Sequence, residues 1–158
     1  IHDVERIKVH PQFYYAGSWD PTAHYDVAII KLKTASNFPT VALNTNQALE
    51  LSGTPTVVGW GEDETGSSGF LEYVKLGIVQ DDRCPTMLQS EKTREVCAGN
   101  GWVGACDGDS GGPLLARNNG QWVQIGITSY APIGCQTGRD PSVFASVKYF
   151  YWWITNNA

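Results

Sequence analysis

The 158-residue chain is long enough for one domain with a hydrophobic core and too short for two domains of ordinary size. Its formal net charge of −5 argues against nucleic acid or an anionic membrane as a partner, and no apolar run approaches the roughly 18 residues of a membrane span. Four cysteines without a Cys-x-x-Cys pair favour a disulfide-bonded, secreted protein over a zinc site, and the sequence indicates no cofactor.

The first part of the chain predicts two strands separated by a loop. Residues 1–9 mix apolar and charged side chains with partial alternation, which indicates a strand that ends at the turn His10-Pro11. Residues 12–24 contain Gly, Ser, Asp and Pro among aromatics, a pattern typical of loops. Residues 25–32 form a β-branched run opened by Asp26, which predicts a buried strand.

The rest of the chain predicts short strands, turns and one terminal helix. Residues 33–53 show no periodicity, and Gly59-Trp60-Gly61 leads into a polar loop. The predicted strands are 54–60, 71–79, 95–99, 121–130 and 142–147, with Trp122, Ile125 and Ile127 as core side chains, and the predicted helices are 81–90 and 148–158, the second packed by its aromatic side.

Residues 104–114 read Gly-Ala-Cys-Asp-Gly-Asp-Ser-Gly-Gly-Pro-Leu and suit neither a helix nor a strand. The glycines around Ser110 let the backbone turn tightly and bring amides close to the hydroxyl. Two amides that point at one spot stabilise the negative charge formed when an acyl carbon is attacked. A glycine-rich surface turn is the plainer interpretation. The whole string, however, resembles the nucleophile motif of chymotrypsin-like serine proteases, and the resemblance covers nearly the whole chain.

This resemblance implies roles for four residues. Ser110 would be the nucleophile, and the amides of Gly108 and Ser110 would form the oxyanion hole. Asp109 would form the buried ion pair with a freed terminal amino group that activates family members. Asp26, in Asp-Val-Ala-Ile-Ile-Lys-Leu, matches the aspartate that orients the catalytic histidine.

The resemblance also implies an all-β fold, the second barrel plus part of the first barrel of a chymotrypsin-like double β-barrel with a C-terminal helix. The end of the first barrel would be 1–42, the connector 43–53, the second barrel 54–147 and the helix 148–158. Cys84 would pair with Cys97 and Cys106 with Cys135, although four cysteines by themselves leave three connectivities open.

A general base for Ser110 is harder to find. A serine hydroxyl needs a base, usually a histidine oriented by a carboxylate. His10 matches a surface turn in the family, His2 has no supporting context, and His24 lies only two residues before Asp26. We therefore expect the base on a shorter N-terminal chain, bound non-covalently, with this chain as the longer C-terminal part of a two-chain enzyme.

The residues that match the specificity pocket predict a preference for small or medium apolar side chains. Gly104 stands where trypsin-like relatives carry an aspartate, so no charge awaits Lys or Arg. Side chains at Ala131 and Ser142 replace the glycines of more spacious pockets. The predicted pocket residues are Gly104, Ala105, Ser129, Tyr130, Ala131 and Ser142, and Ser129 also matches the serine that hydrogen-bonds the triad aspartate.

The expected function is a secreted serine endopeptidase that cleaves protein substrates through an acyl-enzyme. One alternative is a catalytically inactive binding protein built on the same fold. An α/β-hydrolase is a weaker alternative, because its histidine would follow the nucleophile and no histidine follows Ser110.

Overall fold

A computed structural model describes residues 2–15, 17, 23–63, 65–66, 68–84, 93–100, 102–131 and 140–158. Twelve strands and two helices lie within these residues. The strands are β1 (Val4–Val9), β2 (Tyr14–Tyr15), β3 (Ala23–His24), β4 (Ala28–Leu32), β5 (Ala42–Leu43), β6 (Thr56–Gly59), β7 (Glu72–Lys75), β8 (Ile78–Val79), β9 (Glu95–Ala98), β10 (Pro113–Asn118), β11 (Gln121–Tyr130) and β12 (Ser142–Ser146), and the helices are α1 (Ala48–Leu51) and α2 (Val147–Asn157).

The main sheet curls back on itself. Its strand order is β7-β6-β10-β11-β12-β9-β8, with β5 paired in parallel to β11. The two edge strands, β7 and β8, follow each other in the chain and are separated only by Leu76 and Gly77. Because two residues span a short distance, both edges must lie close together, and the sheet forms a half-barrel. The predicted all-β architecture with a C-terminal helix is confirmed.

A cluster of buried apolar side chains packs against this sheet. Leu114, Ile125 and Phe144 lie on three adjacent strands and are completely buried. Each such side chain contributes roughly 1.5–3 kcal/mol relative to an exposed position. Gly126 lies between two of them, since a Cβ there would be 2.9 Å from the Phe144 Cβ and 3.2 Å from the Leu114 Cβ. The absence of a side chain at this position lets the neighbouring strands pack closely.

A separate two-stranded sheet, β1 paired with β4, exposes apolar side chains on its surface. Ile7 is 62% exposed and Ile30 is 60% exposed. The strand predicted within 25–32 is present and Val27 is buried, but the expected burial of Ile30 is wrong. The physical reason is that this sheet is only two strands wide, and a two-stranded ribbon has too few neighbours to cover its own side chains.

Helix α2 confirms the predicted terminal helix and its aromatic packing. The Ser146 hydroxyl accepts a hydrogen bond from the Tyr149 amide at 3.0 Å and so caps the helix N-terminus. Phe150 is buried in a cluster with Val27 and Ala145, whereas Trp152 is 73% exposed. The helix therefore joins the small β1–β4 region to the main sheet.

The segment 33–53, which shows no periodicity in the sequence, contains β5 and the one-turn helix α1. Glu50 of α1 is 2% exposed and accepts hydrogen bonds from Asn44 Nδ2 at 2.8 Å, Ser146 Oγ at 2.7 Å and the Lys148 amide at 3.1 Å. Burial raises the pKa of Glu50, and these hydrogen bonds oppose the rise. The carboxylate fixes the connector to the start of α2.

Other sequence predictions have mixed outcomes. Ile125 is buried, but Trp122 is 41% exposed, with the Arg117 guanidinium 4.0 Å above its ring. Residues 71–79 form two strands rather than one, and β10 was not predicted as a strand. The predicted helix 81–90 lies largely outside the described residues, and the domain boundaries stay predictions.

We expect Glu50→Gln to lower the free energy of unfolding by about 1–3 kcal/mol, because an amide NH₂ would face groups that are all donors. Since the folded-state pKa of Glu50 is raised, its contribution to stability is greatest below the unfolded-state pKa and falls as pH rises through the folded value. Denaturant unfolding between pH 4 and 8 measures both effects. Gln47→Ala, which removes only a half-buried donor to Glu50, should change stability much less.

Candidate functional site

The Ser110 loop is folded by its own backbone. The Asp109 amide donates to the Cys106 carbonyl at 3.0 Å, and the Gly112 amide donates to the Asp109 carbonyl at 2.8 Å. Gly108, with a φ of +97°, adopts a left-handed conformation that favours glycine. Ser110 is exposed at the tip of this turn. In the described part of the chain the amides of Gly108 and Ser110 make no hydrogen bond, so both donors are available to a ligand.

The side chain of Asp109 points away from Ser110 toward the Gly-Trp-Gly segment. Its Oδ1 accepts a hydrogen bond from the Gly61 amide at 2.9 Å, and its Oδ2 accepts one from the Cys106 amide at 3.0 Å. Glycine is required at position 59, since a Cβ there would overlap the Asp109 carboxylate. The Gly59-Trp60-Gly61 motif is visible in the sequence, but its contact with Asp109 is not.

Asp26 is held by the end of β11. The Ser129 hydroxyl donates a hydrogen bond to Asp26 Oδ2 at 2.7 Å. The β11–β12 register shifts by one residue between Thr128 and Tyr130, and such irregularities redirect side chains. The predicted Ser129–Asp26 contact is thus present, while the catalytic roles of both residues stay predictions.

The same strand end holds the Ser110 loop. The Gly111 amide donates to the Thr128 carbonyl at 2.9 Å, and the Thr128 amide donates to the Gly112 carbonyl at 2.9 Å. Thr128 and Ser129 are consecutive, so neighbouring residues of β11 anchor the Ser110 loop and Asp26. The structure therefore brings the predicted nucleophile and the predicted aspartate to one end of one strand, although they lie 84 positions apart in the sequence.

The predicted pocket base is closed by Ser142. Its hydroxyl accepts a hydrogen bond from the Ala105 amide at 3.0 Å, and the residue is 4% exposed. A Cβ on Gly104 would overlap the Ser142 hydroxyl. Tyr130 and Ala131 are both half-buried beside this region. A side chain at Gly104 could be accommodated only if Ser142 moved, which the sequence did not reveal.

Glu95 lies next to the predicted pocket residue Tyr130 and was not predicted as part of the site. The Tyr130 hydroxyl donates to Glu95 Oε2 at 3.4 Å. Burial raises the pKa of Glu95 to about 7, the hydrogen bond from Tyr130 and the charge of Arg94 oppose this rise, and the charge of Asp26 adds to it. No local signal in the sequence would have found this residue, because its partners lie far from it along the chain.

The histidines differ in their surroundings. His10, expected in a surface turn, is buried against the rings of Tyr25, Phe150 and Trp153, because α2 packs over it. Burial lowers the pKa of His10, and its Nδ1 accepts a hydrogen bond from the Gln12 amide at 3.2 Å. His24 pairs with Tyr14 between β2 and β3.

The predicted disulfide Cys84–Cys97 is confirmed, with a Cα–Cα distance of 5.7 Å. The second predicted pair includes Cys135, which lies outside the described residues. Within the described ranges, no group of three or more His, Cys, Asp or Glu side chains is placed to bind a metal ion. No helix in the described part of the chain is long and apolar enough to cross a membrane.

Comparison with known proteins decides the family, since a family model described as Trypsin matches residues 1–154. The chain belongs to the trypsin family of serine proteases. It is 32% identical to "Chymotrypsin-like elastase family member 1" of Bos taurus, over 97% of this chain and 61% of that protein. It is 31% identical to "CLIP domain-containing serine protease B4" of Anopheles gambiae, over 98% of this chain and 46% of that protein.

The chain thus spans about half to three fifths of the length of these trypsin-family relatives. The resemblance expected from the Ser110 motif is confirmed at the level of the family.

We expect Gly59→Ala to expel the Asp109 carboxylate from its two amide donors and to lower the free energy of unfolding by about 1–3 kcal/mol. Thermal or denaturant unfolding of the purified protein checks this. Gly77→Ala is the matched control, because a Cβ there meets no atom within 4 Å. Equal stability of the two variants would contradict the packing argument.

Proposed function

We propose that the protein is a secreted serine endopeptidase that cleaves peptide bonds through an acyl-enzyme. The observation that carries the proposal is the convergence of the Ser110 loop and Asp26 on Thr128 and Ser129. The trypsin-family membership and the disulfide Cys84–Cys97 support it, because disulfides persist in oxidising, extracellular environments.

In the proposed reaction, Ser110 Oγ attacks the substrate carbonyl carbon while a histidine takes the hydroxyl proton. The amides of Gly108 and Ser110 hold the oxyanion of the tetrahedral intermediate. The intermediate collapses, the histidine gives its proton to the leaving amine, and the C–N bond breaks. Water then attacks the Ser110 ester by the same route, which releases the acid product and restores the hydroxyl.

Asp26 would orient that histidine. One of its oxygens, Oδ2, is occupied by Ser129, and the other accepts no hydrogen bond within the described part of the chain. A carboxylate held in this way can accept the imidazole N–H and stabilise the imidazolium that forms.

The histidine would come from a shorter N-terminal protease chain bound non-covalently to this one. The exposed apolar side chains of β1 and β4 offer a surface for it. Asp109 lines a cavity of about 300 Å³ with Gly59, Gly61 and Gly104, and a terminal amino group entering this cavity would reach the carboxylate. Both features support a partner that completes the first barrel and the activation ion pair.

A catalytically inactive binding protein on the same fold is the second candidate. The observation in its favour is that Ser110 makes no hydrogen bond to a histidine within the described residues. Such a protein would keep the pocket around Gly104 without turning over a substrate.

The pocket would accept small or medium apolar side chains. A Lys or Arg side chain would have to bury its charge beside Gly104 and the Ser142 hydroxyl, at a cost of several kcal/mol. A small apolar side chain instead gains about 0.8 kcal/mol per buried methylene until Ala131 and Ser142 obstruct it. We therefore propose cleavage after Ala, Val, Leu or Met.

A sulfonyl fluoride should label the native protein on Ser110 and abolish its peptidase activity, because only an activated serine reacts in this way. Ser110→Ala should remove both labelling and turnover, and Asp26→Asn should lower kcat by roughly 10⁴. Mass spectrometry of the labelled peptide and steady-state kinetics provide the measurements. The native protein is tested correctly folded and with any bound shorter chain retained. If it is then neither labelled nor active, the result favours the binding-protein alternative.

Ser142→Gly should enlarge the pocket, because it removes the side chain that closes the base beside Gly104. We compare kcat/KM for two substrates that carry Phe or Val immediately before the cleaved bond. The Phe/Val ratio should rise by about 10-fold or more, which is the usual effect when a pocket gains room for one or two methylene groups. Ser52→Gly, at an exposed position after α1, is the control. An unchanged ratio in Ser142→Gly would exclude this residue as the limit of the pocket.

A further inference from the structure

Glu95 and Tyr130 form an acidic and aromatic corner at the edge of the predicted substrate-binding wall. Glu95 opens β9 and pairs with Ala145 of β12, while Tyr130 ends β11. The carboxylate lies within reach of the Tyr130 hydroxyl, at 3.4 Å from Oε2. Both residues are half-buried rather than enclosed, so a ligand can reach them.

The Glu95 carboxylate has acceptor capacity that the described part of the chain does not use. A carboxylate offers about four lone-pair sites. Only the long hydrogen bond from Tyr130 reaches Glu95 from a described residue, and Oε1 receives none. This contrasts with Glu50, whose oxygens accept four hydrogen bonds.

The charged groups around Glu95 leave a net negative corner. Asp26 acts on it with a like charge, and Arg94 acts with the opposite charge. The Arg94 guanidinium lies over the Tyr25 ring, 4.5 Å from its centroid. The phenol groups of Tyr25, Tyr130 and Tyr149 also lie around this region.

A half-buried carboxylate beside an aromatic ring suits a cationic side chain, above all arginine. The guanidinium can pair with the carboxylate through its planar fork and stack on an aromatic face. Each contact excludes water from the other, so the two reinforce each other.

We propose that Glu95 is a specificity-determining residue, which selects substrates carrying Arg or Lys at the position that contacts Tyr130. This position is distinct from the one in the Gly104 pocket, where a charge is disfavoured. The proposal rests on the proposed protease function for its substrate. Its chemistry, a cationic peptide side chain on Glu95 and Tyr130, is independent of turnover and can be measured as binding.

The test uses the native protein and pairs of substrate peptides. The two peptides of a pair carry Arg or Gln at one of the four positions N-terminal to the substrate residue that enters the Gly104 pocket, and they are otherwise identical. At pH 8.5 and at one of these positions, we expect kcat/KM to be about 10-fold higher for the Arg peptide than for the Gln peptide. The dissociation constant, measured on Ser110→Ala, should be lower for the Arg peptide by the same factor. This is the size expected of a charge-assisted hydrogen bond. At pH 5.5 the preference should be largely lost, because the pKa of Glu95 is about 7 and its carboxyl is then protonated.

Glu95→Gln should remove the preference at both pH values, whereas Asp82→Asn, which neutralises an exposed carboxylate elsewhere, should leave it intact. No preference for Arg at any of the four positions, or an undiminished preference in Glu95→Gln, overturns the proposal. If Glu95→Gln fails to fold, the pH series on the unmodified protein decides, and a preference that does not change with pH overturns it. Absence of both turnover and Ser110 labelling would refute the protease function alone, since the binding measurement still reports on Glu95.

Discussion

The site depends on the hydrogen bonds along both edges of β11. This ten-residue strand pairs with β10 on one side and β12 on the other, which fixes its register along its whole length. Its last three residues then meet three separate parts of the chain, Thr128 holding the Ser110 loop, Ser129 holding Asp26, and Tyr130 contacting Glu95. A slip of one residue would turn the Ser129 and Tyr130 side chains to the opposite faces and would move the Thr128 backbone groups away from the Ser110 loop, so all three contacts would be lost.

Glycines determine what can lie behind the Ser110 loop. Side chains at Gly59 or Gly61 would occupy the volume of the Asp109 carboxylate, and one at Gly108 would lie 3.0 Å from the Gly61 Cα. The loop can bring its backbone amides to the surface only because Asp109 turns inward and is received by the Gly61 and Cys106 amides. The exposed donors near Ser110 and the inward carboxylate are two consequences of the same packing.

The sequence predicted what local pattern or a family motif specifies, and it missed contacts between distant residues. β11 is found at its predicted limits, α2 begins one residue early, and Ser110 and Asp26 were identified from motifs. Glu50 meets Ser146 across 96 positions and Glu95 meets Tyr130 across 35, so no periodicity could reveal either contact. The exposure of Ile30 was missed for a related reason, since an apolar run predicts a strand but not whether another layer covers it.

The buried carboxylate of Glu50 and the half-buried carboxylate of Glu95 have different roles in the structure. Burial raises the pKa of both Glu50 and Glu95, so each lowers stability as it ionises. At Glu50 the cost is offset by donors from the connector, β12 and α2, and the result is a rigid junction. At Glu95 the single long hydrogen bond from Tyr130 offsets little of the free-energy cost of burying the charged carboxylate. Burial of a carboxylate with unused acceptor capacity costs free energy, and the cationic side chain proposed above would supply the donor that the described residues do not.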